Sequence, residues 1–204
     1  MALTKVNLGG VADQAVNESK LQVSNSPTNG LFLSAQSGNT GGLTWAAASA
    51  GKVLQVVSTT KTDTQSTQGT TFVDVFSVAI TPSATSSKIL LSCFCNINGS
   101  TRYSALKTFR GSTQIALGDA SSNRARVSVS SQSNHDSSND AFVLHNSSFQ
   151  FLDSPSTTNA VTYKVQFGNT SDNETSYINR GHGNDDAVYT MRGVSTFTLM
   201  EIAG

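Results

Sequence analysis

The stretch whose reading decides the fold is "KILLSCFCNI", Lys88 to Ile97. It is an almost unbroken apolar run, with Pro, Ser and Thr ahead of it and Asn-Gly-Ser-Thr behind it. A run this short between turn-forming residues reads as a central β-strand covered on both faces. Cys93 and Cys95 stand at i and i+2 of that strand, so their thiols point to the same side. A bridge between them would distort an extended backbone. They read as two small buried hydrophobes, and no further ligand lies nearby at zinc-like spacing.

Working outward, other segments alternate. In "TFVDVFSVAI" (71–80), Val73, Val75, Ser77 and Ala79 fall on one side and Phe72, Asp74, Phe76, Val78 and Ile80 on the other. In "YKVQFG" (163–168), Tyr163, Val165 and Phe167 share a face. In "VSTFTLMEI" (194–202), Phe197, Leu199 and Glu201 oppose Val194, Thr196, Thr198 and Met200. Period-2 patterns of this kind are half-buried strands. The mixed faces of the first and third imply burial on both sides in places, by a subunit interface or a second layer. Strands are expected at 53–58, 71–80, 88–98, 103–110, 113–117, 126–130, 147–152, 161–167, 175–178 and 194–202. Short strands with Ser/Thr/Gly/Asn turns between them indicate an all-β, jelly-roll-like antiparallel β-sandwich spanning residues 51–204.

Residues 1–50 form a different region, a weakly structured N-terminal arm followed by a β-hairpin. "VADQAVNESKLQV" (11–23) has only a thin apolar face for a short helix. Leu31, Phe32 and Leu33 and then Leu43 and Trp45 flank the turn Gly38–Gly42. A lone hairpin is marginal in water. Phe32, Leu33 and Trp45, the only tryptophan, are therefore expected at a docking or trimer interface; the alternative is that Trp45 caps the sandwich core.

The 204 residues carry 13 Lys+Arg and 13 Asp+Glu, for a net charge of zero. Charged residues are 13% of the chain, and Ser and Thr make up roughly a quarter of it. No basic stripe for neutralising phosphates is present, so nucleic acid is not an expected partner. No run approaches the ~20 apolar residues of a membrane span. "MALTKVNLGG" lacks the apolar core of a signal peptide, so folding in a reducing cytoplasm without disulfides is expected.

No catalytic or cofactor signature occurs: HExxH, CxxC pairs, GxSxG and the phosphate-binding GxxxxGKS/T are all absent. His182, Asp185 and Asp186 lie together in "RGHGNDD" (180–186), and His135 and Asp136 in "SNHDSSND" (133–140). Both read as solvated turns, with neither calcium-loop nor catalytic spacing. Two long polar segments, 118–142 and 168–193, are loop-rich, and loops are where binding residues concentrate. Tyr103, Tyr163, Tyr177 and Tyr189 serve cross-strand packing or, if exposed, carbohydrate stacking.

The ordered blocks "GKVLQVVSTTKTD" (51–63), "TTFVDVFSVAITPSATSSKILLSCFCNINGS" (70–100), "FRGSTQIALGDA" (109–120), "SFQFLDSPSTTNAVTYKVQFGN" (148–169) and "GVSTFTLMEIAG" (193–204) resemble a tail-fibre-like virion protein family of tailed bacteriophages. The family is common among phages of marine and freshwater bacteria, cyanobacteria included. Residues 18–47 resemble the hairpin connector often found ahead of such domains. The resemblance implies a virion structural role, a jelly-roll head, homotrimeric assembly and docking to other virion proteins through the arm. It implies synthesis in the host bacterial cytoplasm and no catalytic residues or cofactor. Three functions follow as expectations: a tail fibre or tail-attached appendage that contributes to host-surface attachment, a capsid decoration protein or short head fibre, and a glycan-degrading enzyme, which would need paired carboxylates. Candidate contacts to a host surface glycan are His135, Asp136, Arg180, His182 and Asp186.

Overall fold

The computed structural model describes residues 22–26, 28–38, 40–47, 52–100, 103–131, 140–171 and 174–204. The chain divides into two units, 1–50 and 51–204. The helix considered at 11–23 falls almost wholly outside the described residues, as do His135 and Asp136.

In the first unit, β1 (Phe32–Ala35) pairs antiparallel with β2 (Leu43–Ala46), setting Leu33 opposite Trp45. A second tie is made by Asn25. Its amide donates to the Trp45 carbonyl (2.8 Å), and its side-chain oxygen accepts the Trp45 N–H (2.7 Å). The side chain thus does for β2 what a neighbouring strand's backbone would do. Gly41, at φ 78°, lies so close to the Gln22 carbonyl that a Cβ would overlap it.

The second unit is built from β3 (Val53–Lys61), β4 (Gln65–Gln68), β5 (Val73–Ile80), β6 (Lys88–Gly99), β7 (Ser104–Arg110), β8 (Thr113–Ile115), β9 (Val129–Ser131), β10 (Asn146–Asp153), β11 (Val161–Asn169), β12 (Thr175–Ile178) and β13 (Ser195–Ile202). Every pairing between these strands is antiparallel. In one sheet β13 lies between β3 and β6, and β10 takes the other edge of β6. β12 continues the line of β13 along Ile97–Gly99, and β4 pairs with β12. In the other sheet the order is β5-β11-β7, with β8 and β9 sharing the free edge of β7. With β3/β4, β8/β9 and β12/β13 each counted as one interrupted strand, the orders are 1-8-3-6 and 2-7-4-5. That is jelly-roll topology, two sheets linked by Greek keys.

The inner face of β6 is the odd-numbered set Ile89, Leu91, Cys93, Cys95 and Ile97, all buried. They meet Phe76, Val78 and Ile80 of β5, Val165 and Phe167 of β11, and Phe197 and Leu199 of β13. The Phe76 and Phe197 rings stack across the sandwich at 5.8 Å. Both cysteines are free and buried.

Two expectations are corrected. The central strand is covered on one face only: its outer residues Leu90 and Ser92 are half-buried and Phe94 is 46% exposed. The continuous apolar run arises because the outer face carries an apolar row. Val56 pairs with Met200, Met200 with Leu90, and Leu90 with Leu152, across all four strands. The split pattern of 71–80 comes from a β-bulge, which needs no second layer. Val165 pairs with Phe76 but Gln166 pairs with Asp74, leaving Val75 as the extra residue. A bulge shifts which residues face inward, so Val73 and Val75 before it and Phe76, Val78 and Ile80 after it all reach the core. The sequence reading also missed β4, since Gln-Ser-Thr-Gln has no apolar face to mark it.

Candidate functional site

Strand register sorts the loops of the sandwich to two ends. At one end β3 begins and β13 finishes, and the Ala203 N–H donates to the Lys52 carbonyl (3.0 Å). The β5–β6, β7–β8 and β10–β11 connections lie at this end, where Ile89, Asp153 and Glu201 share one cross-strand row. At the other end β6 finishes and β7 begins, β9 and β11 finish, and β10 and β12 begin. The chain therefore enters the sandwich at the end opposite the β6–β7 and β11–β12 connections, and the long β12–β13 connection interrupts its strand beside Ile97 and Asn96, nearer that opposite end.

The β12–β13 connection is built on Asn179, fully buried and at φ 60°. Asn is among the few residues that tolerate this left-handed conformation. Its side-chain amide donates to the carbonyls of Lys61 (2.8 Å) and Asp63 (3.0 Å), and its oxygen accepts from the Ser195 hydroxyl (2.6 Å). Ser195 in turn accepts the Asn96 N–H (2.9 Å). One side chain thus joins the β3–β4 corner, β6 and the start of β13.

Beyond Asn179, the Arg180 guanidinium lies 4.0 Å over the Tyr177 ring, a cation–π contact. His182 Nδ1 is 3.3 Å from the Tyr177 hydroxyl. Arg180 also pairs with Arg192 through a backbone bridge, and Arg192 Nη2 donates to Asn184 Oδ1 (2.5 Å). Gly183 lies against Phe142, where a Cβ would overlap the ring, and Phe142 meets Tyr189 edge-on at 4.9 Å. The structure thus gathers Arg180 and His182 on Tyr177 and leaves Asp186 exposed on the adjoining turn. The Tyr177 ring is thereby covered, and the exposed ring of this corner is that of Tyr189.

Among the described residues, no group of three or more His, Cys, Asp or Glu converges as metal ligands do. Two of the carboxylates are tied into the end where the chain enters. Asp153 receives Arg110 Nη1 on both oxygens (3.0 Å each) and the Tyr163 hydroxyl (2.7 Å). Burial, together with Asp153, raises the Tyr163 phenol above its ordinary range. Glu201 accepts from the Ser83 N–H (2.7 Å), the Ser83 and Ser87 hydroxyls (2.6 Å each) and the Gln55 amide (2.6 Å). Burial by itself pushes the Glu201 carboxyl up, but these donors outweigh it and hold the pKa at about 2. Both are structural anchors, and Asp185 and Asp186 lie apart from them, exposed in the β12–β13 connection. The sequence held no signal for either anchor, since Ser83, Ser87 and Glu201 meet only once β13 pairs with β6.

In the hairpin unit, Phe32 and Leu33 are 63% and 40% exposed and Trp45 is half-buried. The tyrosines divide by exposure: Tyr163 and Tyr177 are buried, whereas Tyr103 and Tyr189 are 51% and 54% exposed.

The topology defines an all-β jelly-roll domain. No protein-family model matches the chain, and no curated protein matches it. Among solved structures it is similar to the VP2 subviral particle of infectious bursal disease virus, at 12% identity and a TM-score of 0.36, over 78% of this chain and 41% of that one.

Proposed function

We propose that this chain is a virion structural protein of a tailed bacteriophage, a tail fibre or tail-attached appendage whose head contributes to host-surface attachment. The observation that carries the reading is the polarity of the sandwich. The chain arrives beside Lys52 at one end, and the long connection bearing Arg180, His182 and Asp186 leaves beside Ile97 and Asn96, toward the other. A protein mounted by its N-terminal part and touching a surface with its far end needs that arrangement. The resemblance of the sequence blocks to tail-fibre-like proteins points to the same reading.

Homotrimeric assembly belongs to it. The uncovered apolar row Val56–Met200–Leu90–Leu152 and the exposed Phe32 and Leu33 supply apolar surface for subunit or virion contacts. Trimers multiply weak single contacts into avidity. A capsid decoration protein or short head fibre is the second reading. It is favoured by the shortness of the connection, since β2 ends at Ala46 and β3 begins at Val53, leaving no room for a repetitive shaft.

The test is twofold. Fluorescently labelled protein is mixed with cells of cyanobacterial and other aquatic bacterial strains, and antibody to the head is used to label virions for electron microscopy. Saturable cell binding and label on the tail are expected. Label on the capsid shell would establish the second reading, and absence of cell binding at micromolar trimer would sink attachment.

A further inference from the structure

Beside the head of β7 lies a groove of about 240 Å³ lined by Tyr103, Ala105, Ala125, Val127, Ser130 and Thr170, among others. A more open recess of about 320 Å³ adjoins it, adding Asn123 and Ser171 and sharing Tyr103, Ala125 and Thr170. Tyr103 therefore stands on the boundary of two neighbouring depressions. Its ring is half in solvent, and its backbone is left-handed at φ 73°. A bulky residue pays steric strain there, and such outliers cluster at binding sites. The conformation is held from β11's exit, where the Thr170 N–H donates to the Tyr103 carbonyl (3.2 Å).

No charged side chain lines either depression among the described residues. The alternation of 124–127 ensures this. Ala125 and Val127 face the groove, while Arg126 Nε donates to the Gly118 carbonyl (2.7 Å) and Arg124 Nη1 to the Ser121 hydroxyl (2.9 Å). Each depression is smaller than, or at the low end of, the ~300–1,000 Å³ of pockets that enclose drug-sized ligands. An exposed aromatic residue, hydroxyl and amide groups around it, no charge among the described lining residues and two ring-sized depressions side by side match one ligand chemistry.

We propose that this groove binds a neutral glycan, with two consecutive sugar units flanking Tyr103 and one packing its apolar face on the ring. The proposal rests on the host-attachment reading and names the ligand class for it. It also puts the principal contact at Tyr103 rather than at Arg180 and His182.

The test uses the full chain and two sets of tetrasaccharides: neutral ones of glucose, mannose, galactose and N-acetylglucosamine, and an acidic one of galacturonate. Saturation-transfer NMR reads binding. Tyr103→Gly removes the ring and suits the positive φ, so it keeps the fold; Tyr103→Phe keeps the ring; Ala125→Arg, at an exposed position, blocks and charges the groove. At least one neutral tetrasaccharide is expected to bind, with affinity lowered about tenfold or more by Tyr103→Gly and Ala125→Arg and little changed by Tyr103→Phe. Equal binding by wild type and Tyr103→Gly, binding of the acidic set alone, or no binding at all overturns the proposal. Adsorption of the same variants to cells separates the two readings. Wild type and Tyr103→Gly adsorbing alike, without sugar binding, sinks the groove and leaves attachment standing. Sugar binding that needs Tyr103, without adsorption, does the reverse.

Discussion

Asp153 at the end of β10 and Arg110 at the end of β7 join the two sheets of the sandwich, with one guanidinium nitrogen 3.0 Å from both carboxylate oxygens. The Tyr163 hydroxyl, on β11, completes the contact at 2.7 Å. Asp153 is 7% exposed and Tyr163 fully buried. Removing the shared acceptor strands the buried Tyr163 hydroxyl and leaves Arg110 only the Ser154 carbonyl (3.1 Å), and breaking such a site costs more than a surface ion pair does. Asp153→Ala is expected to lower stability by about 2–3 kcal/mol in urea denaturation. Arg110→Ala, which leaves Tyr163 its acceptor, is expected to cost about half as much.

The same contact sets the behaviour in alkali. The Tyr163 pKa is raised from an ordinary 10.0 by burial and by Asp153. A group whose folded pKa is raised contributes its full stability below the unfolded value and loses it as pH rises beyond. The melting temperature is expected to fall above about pH 10, and Tyr163→Phe to flatten that fall. Parallel curves for the two proteins would refute the assignment.

Glu201 governs the acid limb. Its carboxyl is held at about 2 against an ordinary 4.5. A depressed folded pKa stabilises above the unfolded value and ceases to do so as pH falls through the folded one. Stability is therefore expected to drop between pH 4.5 and about 2. Glu201→Gln is expected to be less stable at neutral pH and to show a shallower acid limb, measured by thermal unfolding at stepped pH.

Asn179 is expected to be the most sensitive residue of the loop end. Asn179→Ala strands two carbonyls and Ser195 and forces Ala into φ 60°. The combined cost is about 3 kcal/mol. Asn179→Gly accepts the backbone and is expected to recover about 1 kcal/mol of that. Denaturant titration of both variants reads the difference.

Leu33 and Trp45 face each other across the hairpin. If they mediate trimerisation, Leu33→Ser with Trp45→Ala shifts a trimer of 21.4 kDa chains to monomer in light scattering, with the head's melting temperature unchanged. A lowered melting temperature with no change of mass would instead tie Trp45 to the core of the head.

Much of the sandwich is legible one strand at a time. β11 and β13 alternate because each has one buried face and one half-buried one, and β12 begins and ends where its residues predict. The Val75 bulge is not legible, because an extra residue leaves no compositional mark and shows only against a partner strand. Of the candidate contact residues, Arg180 and His182 stand out as polar side chains in a loop, but their meeting on Tyr177 depends on Asn179 turning the chain. Tyr103 is indistinguishable in sequence from the buried Tyr163.

By itself, the sequence determined that this chain builds β-strands, which residues of most strands face inward, and that an apolar hairpin precedes the main domain. Those properties depend on near neighbours, through side-chain alternation and turn chemistry. Only the tertiary structure decided the jelly-roll order, the sorting of loops to two ends, the anchoring of Asp153 and Glu201, and the exposure of Tyr103. These depend on pairs such as Ser83 with Glu201, or Tyr103 with Thr170, far apart in the chain. No local pattern encodes a contact whose two halves meet only when the sheets close.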